Sequence, residues 1–187
     1  FASLIQNSYL PVHKTSKLES HVIWKPRDVV SGDIFFWEER EDVSAFVVVD
    51  CTGHGVPGSI LAGLARSAFM SSNLLESKPG EILTEVNKFF LDMFETAKDY
   101  NFGTEVGFDC SICRVRKGSS KIEYAGARNS IFISKEEKII ELKVDRRSIG
   151  QTKHGEFQFN SFETELDQGY LIMLTDGVID AVRLLDR

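Results

Sequence analysis

The sequence predicts an α+β domain built of layered antiparallel sheets with helices on the outside. Two strand-like segments come first, two segments with helical periodicity follow, and everything after residue 104 has the pattern of short strands joined by turns. Strands that follow one another through short turns pair antiparallel, and an amphipathic helix buries its apolar side against a sheet. The length of 187 residues and the 42% hydrophobic content suit a single domain, 1–187, with its own core.

The charge composition excludes some classes of partner. The chain has 22 basic and 28 acidic residues, a net charge of −6, and no run of more than two basic side chains. Surfaces that bind nucleic acid need clustered positive charge, so no nucleic-acid partner is expected. No apolar run approaches the roughly 20 residues that cross a bilayer, so no membrane contact is expected of this domain. An acidic balance instead suits carboxylates gathered around divalent cations.

The three cysteines indicate a reducing compartment. An odd count cannot form a disulfide framework, so the domain is expected to be cytoplasmic, or the cytoplasmic part of a larger sensor protein. Cys110 and Cys113 form a C-x-x-C motif, but residues three apart in a strand point to opposite faces. Because no second cysteine pair completes a zinc site, we expect both to be buried strand residues.

The first half of the chain contains a helix end, a hairpin and two helices. Residues 1–12 have the pattern of the end of a helix that enters from an upstream linker. Strands are predicted over 34–38 and 45–49, joined by a polar stretch. One helix begins near Pro57, a residue type favoured in the first turn, and another begins near Pro79. Apolar residues recur at helical spacing along one face of each helix. They are Ile60, Leu61, Leu64, Ala68 and Phe69 in the first helix, and Ile82, Val86, Phe89, Phe90, Met93, Phe94 and Ala97 in the second.

The second half of the chain has the pattern of consecutive strands. A Lys-Gly-Ser-Ser turn at 117–120 joins the first two, and a charged turn at 135–138 joins the next two. The strands are predicted over 106–116, 122–127, 131–134, 139–142, 157–166 and 170–174. A short helix is expected over 178–184, after the Asp-Gly pair that follows the last strand.

The first predicted hairpin places two acidic residues at one end. If its turn is centred between Glu41 and Asp42, paired residues satisfy the sum i + j = 83, which includes Asp33 with Asp50. Both carboxylates would then lie at the open end of a rigid strand pair, where they suit a hard divalent cation. The alternative is that each Asp caps the end of its strand, and the spacing alone does not decide between the two.

A third acid and a histidine have a similar setting. Asp176 follows an apolar strand and precedes Gly177, which suits a site at the edge of a sheet, although an N-cap of the next helix is an equal alternative. His54 lies in the glycine-rich turn that follows Asp50. Three acids at strand ends, each beside glycine, together favour a shared metal site with His54 close to it.

Several short motifs occur in a characteristic order along the chain. They are Ile5-Gln6 to Leu10-Pro11, Val30-Ser31-Gly32-Asp33, Asp50-Cys51-Thr52-Gly53-His54-Gly55-Val56-Pro57-Gly58, Ala125-Gly126-Ala127 and Leu174-Thr175-Asp176-Gly177. Together they resemble the bacterial SpoIIE-type serine phosphatases of the metal-dependent phosphatase 2C superfamily. The resemblance covers nearly the whole chain, and the D-x-x-G-H-G-x-x-G block is its most specific part.

This resemblance implies a fold and a metal site. The fold would be an antiparallel β-sandwich with helices on both outer faces, and two Mn²⁺ or Mg²⁺ ions would lie at one end of it. Asp50 matches the acid that contacts both ions, and Asp33 and Asp176 match acids on either side. Cys51 matches a position that donates its backbone carbonyl. His54 is a candidate to protonate the leaving serine or threonine oxygen, although the family has other residues at this position.

The sequence departs from the family pattern in two places. Where the family has Ala-Gly-His-Asn-Pro, residues 125–130 are Ala-Gly-Ala-Arg-Asn-Ser. With the preceding hairpin turn centred near residue 118, Arg128 would lie opposite Asp109, either as an ion pair or as a group that captures phosphate. After Thr-Asp-Gly the family continues with a helix, a strand and an Asp-Asp pair that this sequence does not contain, so the C-terminal end of the domain would be missing.

Two functions of different classes follow from these motifs. A Mn²⁺- or Mg²⁺-dependent phosphatase would act on phosphoserine or phosphothreonine in a bacterial regulatory protein such as an anti-sigma-factor antagonist. An upstream sensor or linker would control it, and a homodimer is a further expectation. The alternative is a catalytically weak or inactive phosphatase-fold module that binds signalling partners. The intact acidic motifs favour the enzyme.

Overall fold

The computed structural model describes residues 1–11, 18–95, 106–136, 138–151 and 156–178. Within these residues the structure has three helices and eight strands with defined bounds. The helices are α1 Ala2–Tyr9, α2 Gly55–Ser71 and α3 Pro79–Glu95. The strands are β1 Ile34–Arg40, β2 Val43–Cys51, β3 Phe108–Arg116, β4 Lys121–Ala127, β5 Ile131–Lys135, β6 Lys138–Leu142, β7 Phe162–Glu165 and β8 Tyr170–Met173. The mixed composition and the element order confirm the predicted α+β class.

All strand pairs are antiparallel and form two sheets. The larger sheet has the order β1-β2-β3-β4-β7 and the smaller has the order β6-β5-β8. In the first hairpin Ile34 pairs with Val49, which confirms the register predicted from its turn. In the β3–β4 hairpin Val115 pairs with Ile122, as a turn centred near residue 118 requires.

Two apolar clusters lie on opposite faces of the five-stranded sheet. The larger joins one face of β1–β4 to α2 and α3. The smaller lies between the other face and the three-stranded sheet. Cys110 belongs to the larger cluster and Cys113 to the smaller, so the two side chains point to opposite faces as predicted. Helices α1–α3 belong to the side of the larger cluster, and the helices expected on the other outer face are not among the described residues.

The predicted strand over 157–166 is shorter than expected. Only its second half pairs with β4, as β7. The backbone N–H of Phe159 instead donates to Oγ1 of Thr84 in α3, over 3.0 Å. Phe159 itself is buried in the larger cluster. The apolar residues at the start of this segment therefore pack beside α3 and do not extend the sheet.

The buried side of α2 also differs from the prediction. Ile60 and Leu64 were expected in the core but are 61% and 38% exposed. Leu61 and Phe69 are buried as predicted, and the other buried positions of α2 are the small residues Gly58, Ala62 and Ala65. Small side chains allow a helix to lie close to a sheet, so α2 turns its less bulky side inward.

Some predictions fall at or beyond the limits of the described residues. In α3, Ile82, Val86 and Phe90 are buried as predicted, whereas Phe89 is half exposed. Ala97 and nearly all of the helix predicted over 178–184 lie outside the described residues. No helix in the described part of the chain is long and apolar enough to cross a membrane.

Candidate active site

Three acids predicted to share a site lie at one end of the two sheets. Asp33 precedes β1 and Asp50 is near the end of β2, beside the first pair of the hairpin. Asp176 follows β8 of the other sheet, and its backbone N–H donates to Oδ2 of Asp50 over 3.2 Å. The hydroxyl of Thr175 donates to Oδ2 of Asp33 over 2.9 Å. The segment after β8 thus contacts both hairpin acids and brings the three together.

A fourth acid, Asp109, belongs to this group and was not predicted as a site residue. It pairs directly with Asp50 across β2 and β3. Sequence reasoning placed it only opposite Arg128, because the β3–β4 turn defines that register. Two helices separate β2 from β3, so no short turn fixes the β2–β3 register in the same way. The sequence signal that could have identified Asp109 as a site residue is its position near the start of the strand predicted over 106–116.

Burial, together with the neighbouring carboxylates, alters the protonation of these acids. Burial, followed by the charges of Asp33 and Asp176, raises the pKa of Asp50 from 3.8 to about 7. Burial also raises the pKa of Asp33, against the hydrogen bond from Thr175, which lowers it. Burial likewise raises the pKa of Asp109. The site therefore has an excess of negative charge, which a cation would relieve.

Arg128 forms an ion pair with Asp109. Its Nε lies 3.6 Å from Oδ2 of Asp109, which confirms the predicted juxtaposition as an ion pair. The hydroxyl of Ser148 donates to Oδ1 of the same carboxylate. Arg128 adopts a left-handed backbone with φ of 57°, which is uncommon for a residue other than glycine. Its side chain is 57% exposed, so the guanidinium remains accessible from solvent.

Cys51 lies beside the acids but turns its side chain away from them. The thiol is buried in the larger apolar cluster, and burial raises its pKa well above the usual value. A neutral buried thiol is a poor ligand for a hard cation. The backbone carbonyl oxygen of Cys51 lies close to Gly32, where an added Cβ would be 3.1 Å from it. The contribution available from Cys51 is therefore its carbonyl group.

His54 lies at the N-cap of α2 and is held by a residue that was not predicted. Its Nδ1 is 2.8 Å from Oδ2 of Asp28. The histidine side chain is 65% exposed, so its Nε2 side is open to a ligand. No periodicity or turn relates residue 28 to residue 54, and sequence reasoning had no means to find this pair.

Glycines make the junction between α2 and the acidic loops. Gly53 and Gly55 have φ of 88° and 64°, a conformation that L side chains rarely adopt. A Cβ on Gly58 would lie 2.4 Å from the carbonyl oxygen of Gly53, and one on Gly32 would lie 2.7 Å from the same atom. The start of α2 and the loop before β1 therefore both pack directly on the backbone of the glycine-rich turn.

The acids form a loose group and not a finished coordination shell. Among the described residues, no three His, Cys, Asp or Glu side chains are close enough together to hold a metal ion as they stand. What the structure provides is a set of oxygen donors at the meeting point of two sheets.

A protein family and several solved structures match this chain. Residues 40–186 match the family described as Stage II sporulation protein E (SpoIIE). The structure is similar to the SiaA-PP2C domain of Pseudomonas aeruginosa, with 32% sequence identity, a TM-score of 0.81, and coverage of 96% of this chain and 70% of that one. No curated protein matches the sequence.

Two further solved structures share the fold at lower identity. The PP2C phosphatase domain with a fragment of the regulatory domain of SpoIIE from Bacillus subtilis has 14% identity and a TM-score of 0.67, over 82% of this chain and 44% of that one. RsbX in complex with magnesium has 14% identity and a TM-score of 0.60, over 79% of this chain and 67% of that one. These likenesses confirm the predicted antiparallel, phosphatase 2C-like fold.

Proposed function

The chain belongs to the Stage II sporulation protein E (SpoIIE) family of PP2C-type serine/threonine phosphatase domains, and we propose that it hydrolyses phosphoserine or phosphothreonine in a protein with the aid of Mn²⁺ or Mg²⁺. The observation that carries the proposal is the group of carboxylates at the end of the two sheets. Asp33, Asp50 and Asp176 come from three separate segments and are linked by hydrogen bonds at this one place.

The chemistry of these residues fits divalent cations. The donors are carboxylate and carbonyl oxygens, which Mg²⁺ and Mn²⁺ prefer over thiolate or imidazole ligands. The pKa of Asp50 is raised to about 7 by burial and by its acidic neighbours, so a cation would stabilise its ionised form. RsbX, which shares the fold, was solved in complex with magnesium.

Each residue then has a distinct part in the proposed site. Asp33, Asp50 and Asp176 would hold the cations through their carboxylate oxygens, and Cys51 would add its backbone carbonyl. Asp109 would contribute negative charge to the same region. When bound, such a cation pair supplies charge stabilisation for the phosphoryl oxygens and lowers the pKa of a water molecule. No covalent phospho-enzyme nucleophile is required of this chain.

His54 is the proposed proton donor. The contact with Asp28 holds Nδ1 and leaves Nε2 free to donate a proton to the serine or threonine oxygen as its bond to phosphorus breaks. Arg128 is accessible beside Asp109, where it balances part of the acidic charge. These assignments make His54 an acid near the leaving group and the carboxylates the cation ligands.

A regulatory phosphoprotein is the proposed substrate. By family resemblance it would be an anti-sigma-factor antagonist or a similar bacterial regulator in the cytoplasm. Leu4 and Ile5 on α1 are exposed, which suits contact with an upstream sensor, a linker segment or a second copy of the chain. The structure of SpoIIE noted above likewise includes a fragment of a regulatory domain.

A catalytically weak or inactive signalling module is the alternative. The observation that favours it is the departure from the family pattern at residues 125–130, which are Ala-Gly-Ala-Arg-Asn-Ser. The two functions differ in one measurable property, which is turnover in the presence of a divalent cation.

Hydrolysis of p-nitrophenyl phosphate and of a phosphoserine peptide tests the proposal. The 187-residue chain and a chain extended past Arg187 are assayed with chelator, with Mn²⁺ and with Mg²⁺. The proposal predicts cation-dependent release of phosphate that Asp33→Asn and Asp176→Asn abolish. Cation binding without turnover in both chains would instead support the signalling module.

A further inference from the structure

The buried position of helix α1 is occupied by a polar side chain. Gln6 is only 2% exposed, while the apolar residues Phe1, Leu4 and Ile5 of the same segment are exposed. A side-chain amide that is removed from water costs free energy unless its donor and its acceptor both find partners. The burial of Gln6 in place of an apolar residue therefore points to a specific partner.

That partner is the backbone of Ser31, 25 residues further along the chain. Nε2 of Gln6 donates to the carbonyl oxygen of Ser31 over 2.7 Å. The backbone N–H of Ser31 donates back to Oε1 of Gln6 over 2.8 Å. The amide thus satisfies both backbone groups of one residue, a pairing that glutamate, with no donor when ionised, and leucine, with neither group, do not reproduce.

Ser31 in turn holds Asp33. The hydroxyl oxygen of Ser31 accepts a hydrogen bond from the backbone N–H of Asp33 over 3.0 Å. The carbonyl oxygen of Asp33 accepts one from Nε1 of Trp24 over 3.2 Å. Gly32, between the two, packs on the backbone of the glycine-rich turn. A chain of hydrogen bonds through Ser31 therefore connects α1 to the main chain of Asp33.

We propose that Gln6 is a positioning residue for Asp33, so that its two hydrogen bonds to the Ser31 backbone set how tightly the site binds a divalent cation. This inference rests on the proposed function, because it takes Asp33 as a cation ligand. Gln6 does not contact the cation. It fixes the Ser31 backbone, and the Ser31 hydroxyl fixes the main chain from which the Asp33 carboxylate projects.

The test compares Mn²⁺ binding by the 187-residue chain with that of variants. Gln6→Leu removes both hydrogen bonds, and the matched control Asn7→Leu places the same side chain one position along α1, where Asn7 is exposed. Isothermal calorimetry gives the Kd for Mn²⁺. In a Trp37→Phe background Trp24 is the single tryptophan, and its emission reports on the Asp33 carbonyl that it contacts.

We expect Gln6→Leu to raise the Kd for Mn²⁺ about tenfold, the effect of losing one or two buried hydrogen bonds. Asn7→Leu should leave the Kd unchanged. Ser31→Ala removes the next link, so adding it to Gln6→Leu should raise the Kd much less than it does in the wild-type chain. Trp24 emission should shift in Gln6→Leu before any Mn²⁺ is added.

A purely structural role for Gln6 gives a different result. Gln6→Leu would then lower the free energy of unfolding in chelator and leave the Kd as it was, which would overturn the inference but not the proposed function. A wild-type chain that binds no Mn²⁺ would overturn both. If Gln6→Leu does not fold, Gln6→Glu decides in the same way, because it keeps the acceptor for the Ser31 N–H and loses the donor.

Discussion

The fold changes the protonation of Asp50. Its pKa rises from 3.8 to about 7 because of burial and of the acids Asp33 and Asp176. An acid whose pKa rises on folding stabilises the folded state below its unfolded pKa, and that contribution is lost as the pH rises through the folded pKa. In metal-free protein at pH 8 the ionised Asp50 therefore lowers the free energy of unfolding.

We predict that Asp50→Asn abolishes cation-dependent hydrolysis and yet raises the free energy of unfolding of the metal-free protein at pH 8. The gain should be on the order of 2–4 kcal/mol, since each pKa unit corresponds to about 1.4 kcal/mol. It should shrink towards pH 4, where the carboxyl is protonated in the folded wild type. Urea unfolding in chelator at several pH values measures the difference.

The control for this prediction is Asp42→Asn, in the exposed turn of the same hairpin. It makes the same chemical change away from the acidic group, so activity and the pH dependence of stability should both stay as in the wild type. An Asp50→Asn protein that unfolds, or that keeps full activity, would identify Asp50 as a strand cap and contradict its assignment as a cation ligand.

The contact between helix α2 and the glycine-rich turn positions the site. A Cβ on Gly58 would meet the carbonyl oxygen of Gly53 at 2.4 Å and the Cα of Gly32 at 3.1 Å. Both are backbone atoms and cannot rotate out of the way. Any side chain at Gly58 therefore displaces either α2 or the loops that carry Asp33 and Asp50.

We predict that Gly58→Ala lowers the free energy of unfolding by about 1–3 kcal/mol, as overpacking usually does, and weakens Mn²⁺ binding. Gly63→Ala is its matched control in the same helix, because the nearest atom to a Cβ there is the Tyr9 hydroxyl oxygen at 3.8 Å. That variant should gain about 0.5–1 kcal/mol from helix propensity and keep its Kd. Thermal unfolding and Mn²⁺ titration of both variants provide the comparison. If both variants have the same free energy of unfolding and the same Kd for Mn²⁺, the close approach at Gly58 does not position the site.

The sequence predicted those features that depend on short connections. The turn at Glu41–Asp42 determines which residues of β1 and β2 pair, and so it predicts that Asp33 and Asp50 lie together. The β3–β4 turn likewise predicts that Arg128 faces Asp109. In both hairpins two antiparallel strands joined by a tight turn have one register, which makes a pairwise sum sufficient.

Contacts between distant segments were beyond such reasoning. The pairing of Asp109 with Asp50 depends on how β3 docks after two helices, and the Gln6–Ser31 and Asp28–His54 contacts join loops and helices that share no period. The predicted buried side of α2 was wrong in part, because small residues that allow a close backbone approach face inward in place of Ile60 and Leu64. Residues of this kind are found only when the packing of elements is known.

The candidate site lies where the two sheets of the molecule meet. The five-stranded sheet contains Asp50 and Asp109, and Asp33 directly precedes its first strand. Asp176 instead follows β8 of the three-stranded sheet. Without a cation, like charges from the two sheets repel one another at this junction. A bound cation would instead hold the sheets together, so cation binding and the stability of the sandwich are linked.

Two buried cysteines make this linkage measurable. Cys113 lies in the smaller cluster between the sheets, and Cys110 lies in the larger cluster under the helices. Burial raises the pKa of both thiols, so each remains neutral and reacts with iodoacetamide only when its surroundings open. Because the smaller cluster has fewer buried side chains among the described residues, Cys113 should react faster than Cys110 in chelator.

We predict that Mn²⁺ at about ten times its Kd slows the labelling of Cys113 roughly tenfold, because an ion bound only by the closed form reduces opening by that factor. Asp176→Asn should remove this protection, since it deletes the ligand contributed by the three-stranded sheet. Mass spectrometry of peptides from timed labelling reactions gives the rate at each cysteine. If Mn²⁺ binds and Cys113 still reacts at its metal-free rate, the ion is held by the five-stranded sheet alone and Asp176 is not one of its ligands.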